Sequence, residues 1–436
     1  MGCGASKNAT PKAATLPQRS LEHKPSILYQ SKELLSTRES SALASPQSRR
    51  SAVFDTSSIG TKTRHGIAPL PGRRGAKAKI NQDRGLVCWP FNGTCSQALF
   101  CVFDGHGRGG ELVSEYCMKT LPGLLEADLE SLKRNTRSVM SAQIVTLDSQ
   151  LDYLDDPNIA MQAGSTATVV YLNGNSCWAA CTGDSRAVLG SRKGGRICAK
   201  DMTKDHKPDD PDEMSRIHSF GGQVTPGSEN GNPARVWGAG GTCGLAMSRS
   251  IGDKCLRMYG VIPDPECQHF QLQPCESKEA DGDLCIIVAS DGIWEFIEGQ
   301  EACEIVLGDG SGAVDATEAC GRLVRAAQQR WREEEGTYRD DITCVVALLP
   351  FLDLDNDGED EEGGMDEQGL VELNVGATGV VASRKSNEEH PPMSIEERLN
   401  QGKPDFVARR LSVNELDVHE DDPMDEDWDE DEDVMK

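Results

Sequence analysis

Five aspartate positions fall at the tips of short apolar runs. Asp83 precedes RGLVCW, Asp104 ends ALFCVF, Asp184 follows CWAACTG, Asp291 ends LCIIVAS, and Asp340 with Asp341 precedes ITCVVALL. An ionised carboxylate at a buried strand end is costly unless a cation or a set of donors compensates it. One such Asp is ordinarily a turn residue or a helix cap. Five of them, nearly all beside Gly or a second Asp, point to a shared cation. Hard oxygen donors without a Cys or His cluster select Mg2+ or Mn2+ over Zn2+. Two residues past Asp104, in FCVFDGHGRGGE, His106 is a candidate proton donor. The same stretch contains Gly105-x-Gly107-x-x-Gly110, the spacing of a dinucleotide fingerprint. Asp104 would aim a carboxylate at the pyrophosphate there, and the surrounding βαβ alternation is missing.

The elements that must carry these residues are short and β-like. RGLVCWP, ALFCVF, TATVVYL, SCWAACTG, RAVLGSR, DLCIIVAS and ITCVVALL are rich in Val and Ile and are bounded by Gly, Asn or Asp. Asn173-Gly174 between two of them predicts a hairpin. Helical periodicity is expected at GELVSEYCMKTLPGLLEADLESL, NTRSVMSAQIVTLDSQLDYL, PDEMSRIHSF and SGAVDATEACGRLVRAAQQRWREE. Successive hairpins with helices laid upon them give an α+β fold of antiparallel sheets, not a doubly wound one. No internal repeat is evident.

The chain has 436 residues and a formal net charge of −26. The charge is uneven: residues 1–78 hold 13 Lys/Arg against 4 Asp/Glu, and residues 351–436 hold 28 Asp/Glu against 7 Lys/Arg. Three regions are therefore expected: a disordered arm over 1–60, a folded domain over 61–351, and an acidic, largely disordered tail over 352–436. A chain this acidic lacks the clustered Lys/Arg that nucleic acid demands, so no nucleic-acid partner is expected. The 16 cysteines include no C-x-x-C pair, and no signal peptide precedes them, which favours a reducing, cytoplasmic setting. No apolar run approaches the roughly 20 residues of a membrane span. The opening MGCGASK instead fits N-myristoylation at Gly2, with Ser6 in the pattern and Cys3 as a palmitoylation site. One myristoyl chain binds membranes only marginally, so the second acyl group would matter for anchoring on the cytosolic face. In the tail, DLDNDGEDEEGG imitates a calcium loop but has Gly364 where the bidentate Glu belongs. Arg409-Arg410-Leu411-Ser412 suits a basophilic kinase, and ordinary linker is the competing reading for that segment.

INQDRG, FDGHGRGGE, GSTATVV, TGDSRAVL, KDHKPDDPDEMSRIHSFGG, GLAMSRSIGD, SDGIWEF and RDDITCVV occur in the order seen in metal-dependent protein Ser/Thr phosphatases of the 2C type. The chain resembles that family over about 60–350. The resemblance implies an α/β/β/α sandwich of two antiparallel sheets flanked by helices, with a dimetal site at one end. It implies two Mn2+ or Mg2+ ions bridged by Asp104, with Asp291 and Asp340 completing one shell and the Gly105 carbonyl and Asp83 serving the other. Asp184 with Asp291 matches a third, weaker ion. The implied reaction is hydrolysis of phosphoserine or phosphothreonine in phosphoproteins by a metal-bridging water, without a phosphoenzyme, with His106 as general acid. Two departures stand out. Gln82 replaces the usual Glu, and Ala78 stands where many members place a phosphate-binding Arg, leaving Lys77 or Lys79 to supply the charge. The Gly-rich stretch 226–243 is expected to form a flap near the substrate. The alternative to an enzyme is a membrane-tethered, non-catalytic interaction protein. A monomer is expected.

Overall fold

The computed structural model describes residues 27–30 and 57–349, apart from short stretches at 73–74, 94–95, 154–155, 157, 229–230, 242, 276–279 and 309–314. Two sheets face each other. The first contains β1 (Ile27–Gln30), β3 (Arg84–Cys88), β4 (Gln97–Phe103), β5 (Ala167–Asn173), β6 (Ser176–Thr182) and β9 (Glu266–Gln271), in that spatial order. The second runs β8 (Arg196–Asp201), β7 (Arg186–Lys193), β10 (Gly282–Ala289), β11 (Ile342–Leu348) and β2 (Ile59–Arg64). Every neighbouring pair is antiparallel except β1 with β3.

The period of two along each strand builds the layers. In β4, Ala98, Phe100 and Val102 face the second sheet and join Val170, Ala179, Ile286, Val288 and Val345. Leu99, Cys101 and Phe103 face outward, onto helices α1 (Gly110–Glu126) and α2 (Thr136–Gln150). On the other side, Cys285, Ile287 and Ala289 of β10 meet α4 (Gly299–Leu307) and α5 (Ala316–Glu335). Both faces of the central strands β3, β4, β10 and β11 are buried, which is why they read as continuous apolar runs. The result is the α/β/β/α sandwich expected from the sequence.

The seven strands read from sequence are all present, and the Asn173-Gly174 turn closes β5 onto β6 with Gly174 at φ 56°. The differences lie at the margins. Ile27–Gln30 lies inside the expected arm, yet it pairs in parallel with β3; its Ile-Leu-Tyr run suits a strand. β2, β8 and β9, at sheet edges, read IGTKTR, RICAKD and ECQHFQ and carry too many polar residues to announce themselves. The helix expected from Gly110 to Leu132 breaks after Glu126, because Asp128 accepts a hydrogen bond from the Ser131 amide and caps a separate turn, Leu129–Arg134. A smaller unit stands beside the sandwich. Helix α3 (Pro211–Ser219), strands Gln223–Thr225, Arg235–Trp237 and Gly244–Leu245, and the short helix Lys254–Arg257 enclose Ile217, Val236, Leu245, Met247, Leu256 and Val261. The expected flap is thus part of a unit with its own apolar centre.

Candidate active site

The strand registers gather the acids. Arg84 opposes Phe103, Val102 opposes Thr168, Thr182 opposes Ala167, and Ala289 opposes both Arg186 and Cys344. These pairings place the start of β3 and β11 and the finish of β4, β6 and β10 at one end of the sandwich. Asp83, Asp104, Asp184, Asp291 and Asp340 all sit there.

The loops that carry them are tightly braced. The Asp104 amide donates to Thr166 Oγ1 at 2.9 Å, the Thr166 amide returns to the Asp104 carbonyl at 2.8 Å, and Thr166 is hydrogen-bonded to Ser185 at 2.7 Å. Gly105 has no room for a side chain: a Cβ there would lie 2.5 Å from the Gly110 carbonyl and 2.6 Å from that of Gln82. Asp341 spends both oxygens on the backbone amides of Gly66 and Gln82, which makes it a strut and leaves Asp340 for the site. Gln82 does not face the acids. Its amide donates to the Gly107 carbonyl at 2.8 Å and to Glu111 at 3.1 Å, pinning the start of α1.

Among the described residues, Asp83, Asp104 and Asp291 join no ion pair. Asp83 is fully buried; Ser290 Oγ donates to its Oδ2 at 2.7 Å, while Oδ1 has no hydrogen-bond partner. Burial and the nearby Asp341 push it up to about 7. Asp104 is held well above the usual carboxylate range by burial and by the charges of Asp83, Asp291, Asp340 and Asp184. Asp291 is raised for the same reason, by burial and by Asp184 and Asp340, and it lies within hydrogen-bonding reach of Asp104. Buried Asp184 leaves Oδ1 unpartnered as well.

Two ammonium groups meet the rim of this cluster. Lys79 Nζ is 2.5 Å from Asp340 Oδ1, and Lys207 Nζ is 2.7 Å from Asp184 Oδ2. Burial would lower both lysines, but the facing aspartates win and hold them above their ordinary range. Lys77, by contrast, is exposed in a short hairpin and joins no ion pair of the cluster. Among the described residues, no three His, Cys, Asp or Glu side chains close into a ready-made cage for a metal. The donor set nonetheless fits a hard divalent cation: all oxygen, anionic, with two buried carboxylate oxygens left without partners.

His106 stands beside this cluster. Its Nε2 is 2.6 Å from Asp253 Oδ2, and Ser250 Oγ donates to the same oxygen at 2.7 Å. Burial pushes the imidazole down, but the Asp253 carboxylate more than offsets this and the group is raised overall. Nδ1 is the ring nitrogen left without a partner. Gly164 makes room for the pair, since a Cβ there would lie 2.2 Å from Asp253 Oδ2 and 2.8 Å from His106 Nε2. Asp253 itself holds a left-handed backbone, φ 47°, rare outside glycine.

All five aspartates, Gly105, His106 and Lys79, singled out in the sequence, lie at this end of the sandwich. Sequence reasoning gave no role to Asp253, Lys207 or His206, although each lies in a motif it had singled out. Buried His206 accepts the Gly183 amide on Nδ1 at 3.1 Å and braces the loop before Asp184; burial, with Arg249 nearby, lowers it to about 4 and keeps it neutral. The one signal available for Asp253 was an acid placed after Ile-Gly in a Ser-rich loop. Gly2, Cys3, the calcium-loop mimic and Ser412 lie outside the described residues.

The comparisons agree with this geometry. A family model described as protein phosphatase 2C matches residues 72–336. A probable protein phosphatase 2C 64 of Oryza sativa subsp. japonica is 34% identical over 331 residues, covering 74% of this chain and 72% of that protein. Probable protein phosphatase 2C 73 of Arabidopsis thaliana is 32% identical over 332 residues, covering 70% and 85%. In fold, the chain is similar to the crystal structure of a serine-threonine phosphatase 2C from Toxoplasma gondii, with TM-score 0.55 and 23% identity over 66% of this chain and 94% of that one. A C. elegans sex determining protein gives TM-score 0.52 at 22% identity, covering 69% and 67%. The chain belongs to the protein phosphatase 2C family and is a protein serine/threonine phosphatase.

Proposed function

We propose that this end of the sandwich hydrolyses phosphoserine and phosphothreonine directly to water, using two Mg2+ or Mn2+ ions and no covalent phosphoenzyme. The observation that supports it most is the set of carboxylates raised by burial and by one another, Asp83, Asp104 and Asp291, beside an imidazole whose charge is favoured. Metal dependence is general to the family. Divalent cations held there supply an acidified water as nucleophile and neutralise the phosphoryl oxygens. Asp104, Asp291, Asp340, Asp83 and the Gly105 carbonyl are the proposed donors, with Asp184 and Asp291 for a third ion. With Gln82 turned to α1, Asp83 is the carboxylate donor proposed beside the Gly105 carbonyl on that side.

The serine or threonine alkoxide that leaves is strongly basic and needs a proton. Asp253 holds Nε2 of His106 and favours the imidazolium, so the proton comes from Nδ1. Lys79 takes the place of the missing arginine. Its ammonium, 2.5 Å from Asp340 Oδ1, would meet a phosphoryl oxygen as a point charge, without the bidentate grip of a guanidinium. Acylation at Gly2 and Cys3 on the cytosolic side is proposed for the anchor. No described helix is long and apolar enough to cross a membrane.

The test is hydrolysis of an aryl phosphate and of a phosphothreonine peptide by clean full-length protein. Turnover is expected with Mn2+ or Mg2+ and is abolished by EDTA; metal-independent turnover would overturn the proposal. Gly2→Ala is expected to release the protein from membranes, and unchanged membrane partition refutes the acyl anchor.

A further inference from the structure

Cys243 lies in the turn between strands Arg235–Trp237 and Gly244–Leu245, where its carbonyl accepts the Gly238 amide. Cys255 lies on the short helix Lys254–Arg257, two residues past Asp253. Their Sγ atoms are 3.1 Å apart, across a sequence separation of 12. That is about 1 Å more than the ~2.05 Å of an S–S bond, a gap that side-chain adjustment can close. Both residues are only partly buried. Two other thiol pairs in hydrogen-bonding contact, Cys285 with Cys303 and Cys320 with Cys344, are sealed in the apolar layer between the second sheet and its helices. An oxidant in solution reaches the first pair and not the other two.

The short helix is a junction. Arg257 joins it to Asp148 of α2 at 2.5 Å, Lys254 reaches Asp152, and the residue just before it, Asp253, holds His106. The Asp253 amide is tied to the Ala163 carbonyl at 3.0 Å. A covalent bond from Cys255 to Cys243 would fasten the Gly-rich segment to the element that positions the proton donor.

We propose that Cys243 and Cys255 form an oxidisable dithiol, and that its disulfide restrains the Asp253 segment and slows turnover. The oxidant is a small-molecule disulfide such as oxidised glutathione. The Cys243 thiolate attacks one glutathione sulfur, forming a mixed disulfide and expelling one glutathione thiolate. The Cys255 sulfur then attacks Cys243 Sγ, closing the internal bond and expelling the second glutathione. The two cysteines lose two electrons, glutathione disulfide gains them, and both protons end on the two glutathione thiols. Cys255 acts second because burial and the adjacent Cys243 thiol push it up to about 12; once the mixed disulfide stands beside it, proximity replaces acidity as the driving factor.

The experiment treats full-length protein with oxidised glutathione and maps its peptides by mass spectrometry, with turnover of an aryl phosphate measured alongside. The linkage is read by mass, so it stands apart from the catalytic proposal; the turnover arm rests on that proposal. A Cys243–Cys255 linked peptide, a several-fold loss of turnover, and recovery with dithiothreitol are expected. Cys243→Ser should keep basal turnover, form no link and resist oxidation. A stable glutathione adduct on Cys243 with Cys255 still free overturns the dithiol. A linked peptide with unchanged turnover overturns its control of the site.

Discussion

Two buried clusters in this protein hold carboxylates under opposite regimes. Glu213 of α3 is 4% exposed, yet it is held far below the ordinary range. Burial alone would raise it. Arg216 grips it through two bonds of 2.8 and 2.7 Å, Arg249 adds a third at 2.7 Å, and Ser248 Oγ donates to the same group. Asp83 is fully buried and Asp104 and Asp291 are half-buried; none of the three is gripped by a guanidinium, and all are raised. Where the protein supplies the countercharge, the acid is a fastener; where it withholds it, the acid is reserved for something that arrives later. The fastener serves the site, because Ser248 and Arg249 lead directly into Ser250 and Asp253.

The largest expected effect tests the reserved cluster. Asp104→Asn should lower metal-dependent turnover by about three powers of ten or more, since the ions contribute several kcal/mol of charge stabilisation and each decade is 1.36 kcal/mol. In EDTA the same variant should unfold at a higher temperature than wild type, because one of several repelling charges is gone. Turnover near wild type would remove Asp104 from the centre of the site.

Glu213→Gln should do the reverse, costing roughly 3 kcal/mol of stability at pH 7, the range for breaking one partner of a buried ion pair. Its pH dependence carries a sign. The folded pKa of Glu213 is depressed, so its contribution is complete above the unfolded value of about 4.5 and is lost as pH falls below it. Urea melts of wild type and variant should therefore converge on acidification. Asp83 has the opposite sign. Its folded value of about 7 lies above its ordinary 3.8, so the metal-free fold binds the extra proton and loses stability as pH rises through that window. Without metal, Asp83→Asn should match wild type near pH 4 and exceed it at pH 8. Parallel melting curves for both variants would erase the contrast between the clusters.

The sequence made the reserved cluster easier to read than the fastener. Asp83, Asp104, Asp184, Asp291 and Asp340 each end or begin a Val/Ile run, so strand periodicity alone brings them to one end once hairpins are assumed. Glu213 and Arg249 are 36 positions apart, and His106 and Asp253 are 147 apart. Nothing in spacing or composition joins such partners, because their meeting depends on how the α3 unit docks beside the sandwich. Edge strands β8 and β9 were hidden for a related reason: with one side to solvent, ECQHFQ needs no apolar run. The replacement of Glu by Gln82 was visible, but its consequence was not, since only the fold shows the amide bonded to Gly107 and Glu111.

The pairing of His106 with Asp253 joins the two regimes, and it gives the smallest and most discriminating effect. Here a carboxylate compensated by a histidine holds the proposed proton donor, and Asp253 lies below its ordinary range; burial would raise it, but His106 prevails. Asp253→Asn preserves shape and removes the charge. Turnover should fall about tenfold, in line with the loss of a carboxylate that orients a functional histidine. A general acid works only while protonated, so activity declines as pH rises through its pKa. Removing the carboxylate that raises His106 should move that alkaline decline to lower pH. The loss should be greater on a phosphothreonine peptide than on an aryl phosphate with a weakly basic leaving group, which needs little protonation. A uniform loss on both substrates with an unmoved pH profile would make Asp253 a fastener like Glu213, and the division between the clusters would then run on the other side of His106.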